Sequence, residues 1–256
     1  GKFSQGTITA EFAQKTGNDP AAFKFQRTSK IYYPYILKSI TSTDPYGTSV
    51  KTTATWDFIT GIEKASILEG PMGIRTRAEK VFAYEKYPEM GPIHNEVDNK
   101  NMLSQIAGNY TYKLNGSNAS TGLIGATAAT WNKDWNTYRE LDASGEYVDI
   151  DNTYPTWRKS MSYVYQGDAS DLKTDGTLTF VEATDKFDWA TGASNPNWQY
   201  AGELLRFDNY SMPLESKDLN NIYTVTKTDV EQKRKVLEAA NAKYTEVAWS
   251  GAENGY

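Results

Sequence analysis

Phe207-Asp208-Asn209-Tyr210-Ser211-Met212-Pro213-Leu214-Glu215 and, twenty-one residues on, the stretch led by Thr228-Asp229 share one chemistry. In each, a strand-like run meets an Asp-led turn. A short unit recurring at that interval predicts stacked β-hairpins, a framework rather than a reaction centre. The same alternation continues outward from these stretches. Val50 to Phe58 reads as the return strand of a hairpin whose turn, Asp44-Pro45-Tyr46-Gly47, has Asp first, Pro presetting φ and Gly closing. Thr60-Gly61 turns before a strand over Glu63 to Leu68, and Gly70-Pro71-Met72-Gly73 precedes Ile74 to Tyr84. Phe3 to Phe12, Ile31 to Ile40, Trp157 to Tyr165, Leu178 to Ala183, Trp198 to Phe207, Ile222 to Lys227 and Val236 to Ala240 read as further strands. Turns recurring about every 10–12 residues predict a mainly β, antiparallel hairpin meander with a few short helices and long loops.

The middle of the chain is less regular. A short helix is expected around Asn101 to Ala107, and Trp131, Trp135 and Tyr138 recur at helix-like spacing. Residues 114–130, rich in Gly, Ser, Asn, Thr and Ala, read as a flexible surface loop. The expected organisation is therefore an N-terminal β-hairpin region over 1–113, that loop over 114–130, and a C-terminal β region over 131–256. Ala242 to Ser250 reads as a short helix capped by Gly251. A rival reading makes Val230 to Ser250 one long helix, because Asp229 and Gln232 resemble a capping box.

With 256 residues the chain can bury a sizeable core. Its mean hydropathy is −0.65, and no run approaches the roughly 18–20 apolar residues of a membrane helix, so no membrane span is expected. The start, Gly1-Lys2-Phe3-Ser4, has neither Met nor the pattern of a signal peptide, which reads as a piece of something longer. A net charge of −5 argues against a nucleic-acid surface; the densest basic run, Lys233-Arg234-Lys235, suits a solvated turn. Eighteen tyrosines and seven tryptophans favour a pleated, half-buried surface.

Reaction chemistry finds little to stand on. With no cysteine and one histidine, His94, thiolate and multi-histidine metal sites are excluded, and no cofactor is expected. His94 reads as a loop or core residue, because no Gly-x-Ser-x-Gly accompanies it. Asp149-Ile150-Asp151-Asn152 and Asp168 to Asp175 concentrate the carboxylates that calcium prefers but lack EF-hand spacing, so they read as solvated acidic loops. No phosphate loop appears, and 32 acidic residues nominate no glycosidase pair. Asn-x-Ser/Thr sequons begin at Asn109, Asn115, Asn118 and Asn209, a pattern that Asn-rich turns generate by chance. The tryptophans in or beside irregular stretches are better candidates. Trp131, Trp135, Trp189 and Trp198 are the residues an aromatic sugar-stacking platform would use, and Trp157 lies in similar company. Core packing is the competing reading for each.

Several phrases resemble large bacterial surface proteins with Rhs-type, or YD, repeats, particularly those of the Bacteroidetes. They are Tyr32-Tyr33-Pro34-Tyr35-Ile36-Leu37-Lys38-Ser39, Trp56-Asp57-Phe58-Ile59-Thr60-Gly61, Ala83-Tyr84-Glu85-Lys86-Tyr87-Pro88-Glu89-Met90-Gly91 and Lys100-Asn101-Met102-Leu103-Ser104-Gln105. Trp157-Arg158-Lys159-Ser160-Met161-Ser162-Tyr163, Pro213 to Tyr223 and Tyr244 to Glu253 continue the likeness in order. It implies successive β-hairpins in a large sheet or partial shell, an extracellular or cell-surface location and a structural role. The repeats are degenerate: Phe207-Asp208 is followed by Asn-Tyr-Ser, and Thr228-Asp229 lacks the tyrosine. No catalytic role is carried over. The expected function is a non-enzymatic framework for display, adhesion or encapsulation. Its partners would be other segments of the same large protein, or a surface protein or glycan. The alternative is a carbohydrate-binding module using surface aromatics, and a glycan-cleaving enzyme is a third, weaker reading. Trp56, Phe207, Leu214 and Tyr223 are the expected core.

Overall fold

A computed structural model describes residues 36–93, 98–135, 138–141, 144, 147–150, 156–192, 195–208, 210–229 and 234–248. The readings at Phe3 to Phe12, Ile31 to Tyr35, His94, Asn209 and Asp151-Asn152 lie outside the described residues.

The turns are the place to start. At Asp44, Asn115, Asp208 and Asp218 one geometry recurs. The side-chain Oδ1 of the leading residue accepts the backbone N–H groups two and four positions on, at 2.7–3.0 Å. Its carbonyl accepts the N–H three on, and its own N–H donates to the carbonyl four on. The fourth residue of each turn is left-handed: Gly47 (φ 85°), Asn118 (φ 64°), Ser211 (φ 66°) and Asn221 (φ 60°). A short acceptor side chain thus satisfies amides that the reversal leaves bare, and the left-handed residue matches the turn to the strand twist. Asp57 and Asp229 lead longer versions.

The strands are β1 (Ser39–Thr43), β2 (Ser49–Trp56), β3 (Glu63–Glu69), β4 (Arg75–Phe82), β5 (Ile106–Leu114), β6 (Ser120–Asn132), β7 (Tyr138–Leu141), β8 (Tyr147–Ile150), β9 (Arg158–Tyr165), β10 (Trp198–Asp208), β11 (Pro213–Asp218), β12 (Tyr223–Thr228) and β13 (Lys235–Ala240), and these turns close β1–β2, β2–β3, β5–β6, β10–β11, β11–β12 and β12–β13. Eleven of them follow one path, β1-β2-β3-β4-β5-β6-β9-β10-β11-β12-β13, every neighbour antiparallel. The hairpin β7–β8 lies off this path and pairs with β10 in parallel through Phe207↔Tyr138 and Asp208↔Arg139. The fold is the mainly β meander that the sequence predicts. The twenty-one-residue interval proves to be two steps of a shorter unit: Asp218 leads the intervening turn, so Asp208 and Asp229 lie on the same side of the sheet.

One face of the central strands is covered. Tyr110, Tyr112 and Leu114 of β5, Leu123, Ala126 and Ala128 of β6, Tyr163 and Tyr165 of β9 and Trp198 of β10 are buried there. The connection from β9 to β10 lies over them, contributing buried Phe187 and half-buried Leu178, Phe180 and Trp189. It is fastened through Leu123 N–H to the Leu178 carbonyl (2.8 Å) and the reverse bond (2.7 Å). Gly122 permits this approach: a Cβ there would sit 2.3 Å from Thr177 Oγ1. A second cluster gathers Ala83, Met90 and Ala107 with Tyr87, Met102, Trp131 and Trp157, where the β4–β5 connection meets the ends of β6 and β9. In a third, Tyr244 returns the C-terminal segment onto Leu214 and Val225.

Of the expected core, Phe207 and Leu214 are buried, and Trp56 and Tyr223 half-buried. Several local expectations are corrected. Residues 114–130 are not a loop or a domain boundary: only 115–119 turn, and β6 pairs with β5 from Gly108↔Ala128 to Leu114↔Ser120. The small residues that suggested a loop are there because Ala126 and Ala128 lie in register with Tyr110 and Gly108 beneath the aromatic layer. Asn101 to Ala107 forms no helix; Asn101 is left-handed (φ 54°) and β5 begins at Ile106. Trp131 ends β6 rather than starting a helix. Leu178 makes only isolated bridges, followed by one helical turn, Glu182–Asp185. Near the C-terminus β13 replaces the long-helix reading, and Tyr244–Glu246 is a single 3-10 turn.

If the side-chain acceptor sets these turns, Asp218→Ala lowers the unfolding free energy by about 1 kcal/mol, whereas Asp218→Asn retains most of it, since Asn115 does the same work. Urea denaturation of both variants checks this; equal losses would remove the acceptor from the explanation.

Candidate functional site

Two kinds of aromatic site exist in this sheet, and their chemistry differs. The first is interior. Trp198 is buried, its Nε1 donates to the Asp185 carbonyl (2.9 Å), and its ring meets Tyr110, Tyr165 and Phe187 edge-on at 5.1–6.1 Å. Half-buried Trp189 donates to the Ala129 carbonyl (3.1 Å) and packs edge-on against Phe187. Trp131, also half-buried, donates from its indole to the Ile106 carbonyl (3.3 Å) and from its backbone N–H to the Tyr87 hydroxyl (3.1 Å). Trp135 is buried, bonded to the Asn132 carbonyl and set edge-on to Phe207 at 4.7 Å. The four tryptophans do not assemble into one solvent-facing platform. Trp189 and Trp198 use the indole N–H to tie the β9–β10 connection to the sheet, Trp131 to join β6 to β5 and Trp135 to bond back to Asn132, so each indole donor is satisfied.

The same interior makes its tyrosines weaker acids. Burial is the first cause at Tyr110, whose hydroxyl is pushed up to about 12 and accepts from Phe187 N–H (3.2 Å). Burial likewise raises Tyr112, Tyr163 and Tyr165. These phenols are neutral packing groups.

Asp57 forms the best-defined polar site. In the β2–β3 turn its Oδ2 accepts from Thr60 N–H (2.8 Å) and Thr60 Oγ1 (2.7 Å), and its Oδ1 accepts from the Tyr84 hydroxyl (2.7 Å). Burial pushes this carboxyl upward, but the Thr60 and Tyr84 hydrogen bonds, with the Lys64 charge, hold it below its ordinary 3.8. Tyr84 is raised by burial and by the same bond. The arrangement latches the β2–β3 turn to the end of β4. With Tyr84 protonated and donating, it offers no free base or nucleophile. Sequence reading quoted both residues without pairing them; the signal was Asp followed by Thr-Gly, the chemistry of a side-chain-closed turn.

The acidic stretch Asp168 to Asp175 also resolves into turn chemistry. Asp171 Oδ2 accepts from Asp168 N–H (2.9 Å). Asp175 binds Thr177 and pairs with Lys113 (2.8 Å), which holds its carboxyl far below the usual range. Among the described residues no group of three or more His, Cys, Asp or Glu is placed to hold a metal ion.

The second kind is exterior and consists of separate residues at turn tips, which the sequence did not single out. Tyr46, Phe58, Met72 and Tyr210, 73–94 % exposed, all stand in hairpin turns. Tyr46 and Tyr210 occupy the same third position of the Asp-led turn, and each donates its N–H to the leading carboxylate. Their signal was a large apolar residue inside an otherwise polar turn sequence.

No family model matches this chain, and no curated protein matches it. Two outcomes follow from the geometry. Trp198→Ala costs about 3–5 kcal/mol, as for other aromatic deletions in a packed core, read from the denaturation midpoint; a loss below 1 kcal/mol would mean that Trp198 is not a core residue. Because the folded Asp57 carboxyl titrates below its unfolded value, its contribution is complete above the unfolded value near 3.8 and fades as pH falls through the lower folded one. Asp57→Asn therefore loses less stability than the parent between about pH 5 and pH 2, and parallel curves would contradict the latch.

Proposed function

We propose that this chain is a non-enzymatic framework segment of a bacterial cell-surface or secreted protein of the Rhs/YD-repeat type, and that it acts by presenting hairpin turns to a partner. The observation that supports this is the placement of Tyr46, Phe58, Met72 and Tyr210 at turn tips, while Trp131, Trp135, Trp157, Trp189 and Trp198 are buried or half-buried. On this reading the tips supply the contact groups at both ends of the strands, Tyr46 and Met72 at one and Phe58 and Tyr210 at the other. The partner is another segment of the same protein, or a surface protein or glycan.

Immunolabelling of intact producing cells with antibody to this chain, together with protease shaving, tests the location. Surface label is expected; label appearing only after lysis would overturn the reading. Replacing Tyr46, Met72 and Tyr210 together by Ser is expected to leave folding within about 0.5 kcal/mol per site while lowering adhesion of cells displaying the protein. Unchanged adhesion would remove the tips from the function.

A further inference from the structure

The sheet ends at β1, and among the described residues nothing pairs with its outer edge. Which backbone groups face outward is fixed by the inner ladder. Ala54 N–H donates to the Lys38 carbonyl (3.0 Å) and Asp44 N–H to the Thr48 carbonyl (2.9 Å), so the even positions of this strand face β2. Antiparallel pairing alternates; the N–H and C=O groups of Ser39, Thr41 and Thr43 therefore point away from the sheet. The open stretch is bounded at both ends. The Leu37 carbonyl accepts from Trp56 Nε1 (2.9 Å), and Asp44 begins the turn.

Edge strands are ordinarily blunted by charge, proline or a bulge. Ser39-Ile40-Thr41-Ser42-Thr43 has no charged residue and no proline, all five residues are exposed, and the register from Ser39↔Thr53 to Thr43↔Ser49 is unbroken. At the other end of the sheet, β13 carries Lys235 and Glu238. The two end strands also run in the same direction, because an even number of antiparallel steps separates them. Joining one end to the other would require a parallel ladder.

We infer that β1 pairs antiparallel with β1 of a second copy of this chain, about a two-fold axis through Thr41. In that register Thr41 faces Thr41 and Ser39 faces Thr43, so every outward N–H and C=O group of both strands is satisfied. A shift by two residues leaves such groups unpaired at both ends. Ile40 lies opposite Ser42, and no like charges meet within the strand. The contact is isologous and closes at two copies, joining two frameworks into one continuous sheet. It goes beyond the display reading and does not depend on where the protein resides. A contact of this length is weak, and its population rises with concentration.

The chain has no cysteine, which makes Thr41→Cys a clean probe. Directly opposed residues of a hydrogen-bonded antiparallel pair lie about 5.5 Å apart at Cα, within the span of a disulfide. Oxidised Thr41→Cys is expected to run as a covalent dimer of the full chain, while Lys51→Cys, one strand inward, stays monomeric. Light scattering of the unmodified chain should show concentration-dependent dimerisation, and Thr41→Pro, which removes an outward donor, should shift it to monomer. A chain that stays monomeric throughout, with Thr41→Cys uncrosslinked, overturns the inference. So does slow amide exchange at Ser39, Thr41 and Thr43 in the monomer, which would assign the edge to another part of the same chain.

Discussion

One carboxylate or amide oxygen accepting two backbone N–H groups is the interaction on which this structure rests. A chain that reverses direction between adjacent strands leaves amides at the corner without ladder partners, and water is a poor means of fixing which residue turns. In the turns led by Asp44, Asn115, Asp208 and Asp218 the acceptor fixes both the corner and the count of residues across it. That count matters because a slip of one residue moves every side chain of a strand to the opposite face. The Asn115 turn sets Tyr110 and Tyr112 on the covered face together with Leu123 and Ala126. Turn chemistry and core composition are therefore one constraint seen at two distances.

A single sheet has two wet faces and needs cover to acquire a core. Here the β9–β10 connection covers β5, β6, β9 and β10, and Tyr244 covers Leu214 of β11 and Val225 of β12. Close approach is permitted where side chains are smallest, at Gly122 beneath Thr177 and Gly108 beneath Trp189. Among the described residues β1 and β2 have no such layer; β1 is exposed along its length, and β2 is at most half-buried in its strand. Ion pairs such as Lys51–Glu69 and Arg75–Glu69 line their surface, but exposed pairs of this kind stabilise little. Stability is thus graded, greatest at the aromatic centre and lowest toward β1, so opening should begin at that edge.

The fold class was legible because period-two alternation and turn residues are local signals. Asp44-Pro45-Tyr46-Gly47 and Phe207-Asp208 announced hairpins correctly, and β2, β3, β9, β10, β12 and β13 fell close to where alternation placed them. What misled was composition read without its neighbours. Residues 120–132 look like loop because Gly, Ala, Ser and Thr dominate, yet small side chains are what the rings of β5 and the β9–β10 connection require beneath them. Trp131 and Trp135 look like a helix face because both are apolar four apart, yet each is anchored to a different aromatic neighbourhood. The pairing of Asp57 with Tyr84 depends on strand order, which no local window contains.

The location of those tips follows from the turn itself. A large apolar side chain exposed on a strand face lies beside its cross-strand neighbours and is partly covered, as Ile124 and Leu68 are; at a corner it stands clear, as Tyr46 and Tyr210 do. Left on an ordinary loop, such a ring would lose conformational freedom on meeting a partner, and that loss opposes binding. In the Asp-led turn the backbone at Tyr46 and Tyr210 is already fixed by the bond from its own N–H to the leading carboxylate. The oxygen that sets strand register therefore also holds a rigid aromatic contact group in place. On the display reading proposed above, building the sheet and presenting a surface rest on the same oxygen at these two turns, so a change of the leading residue alters both together.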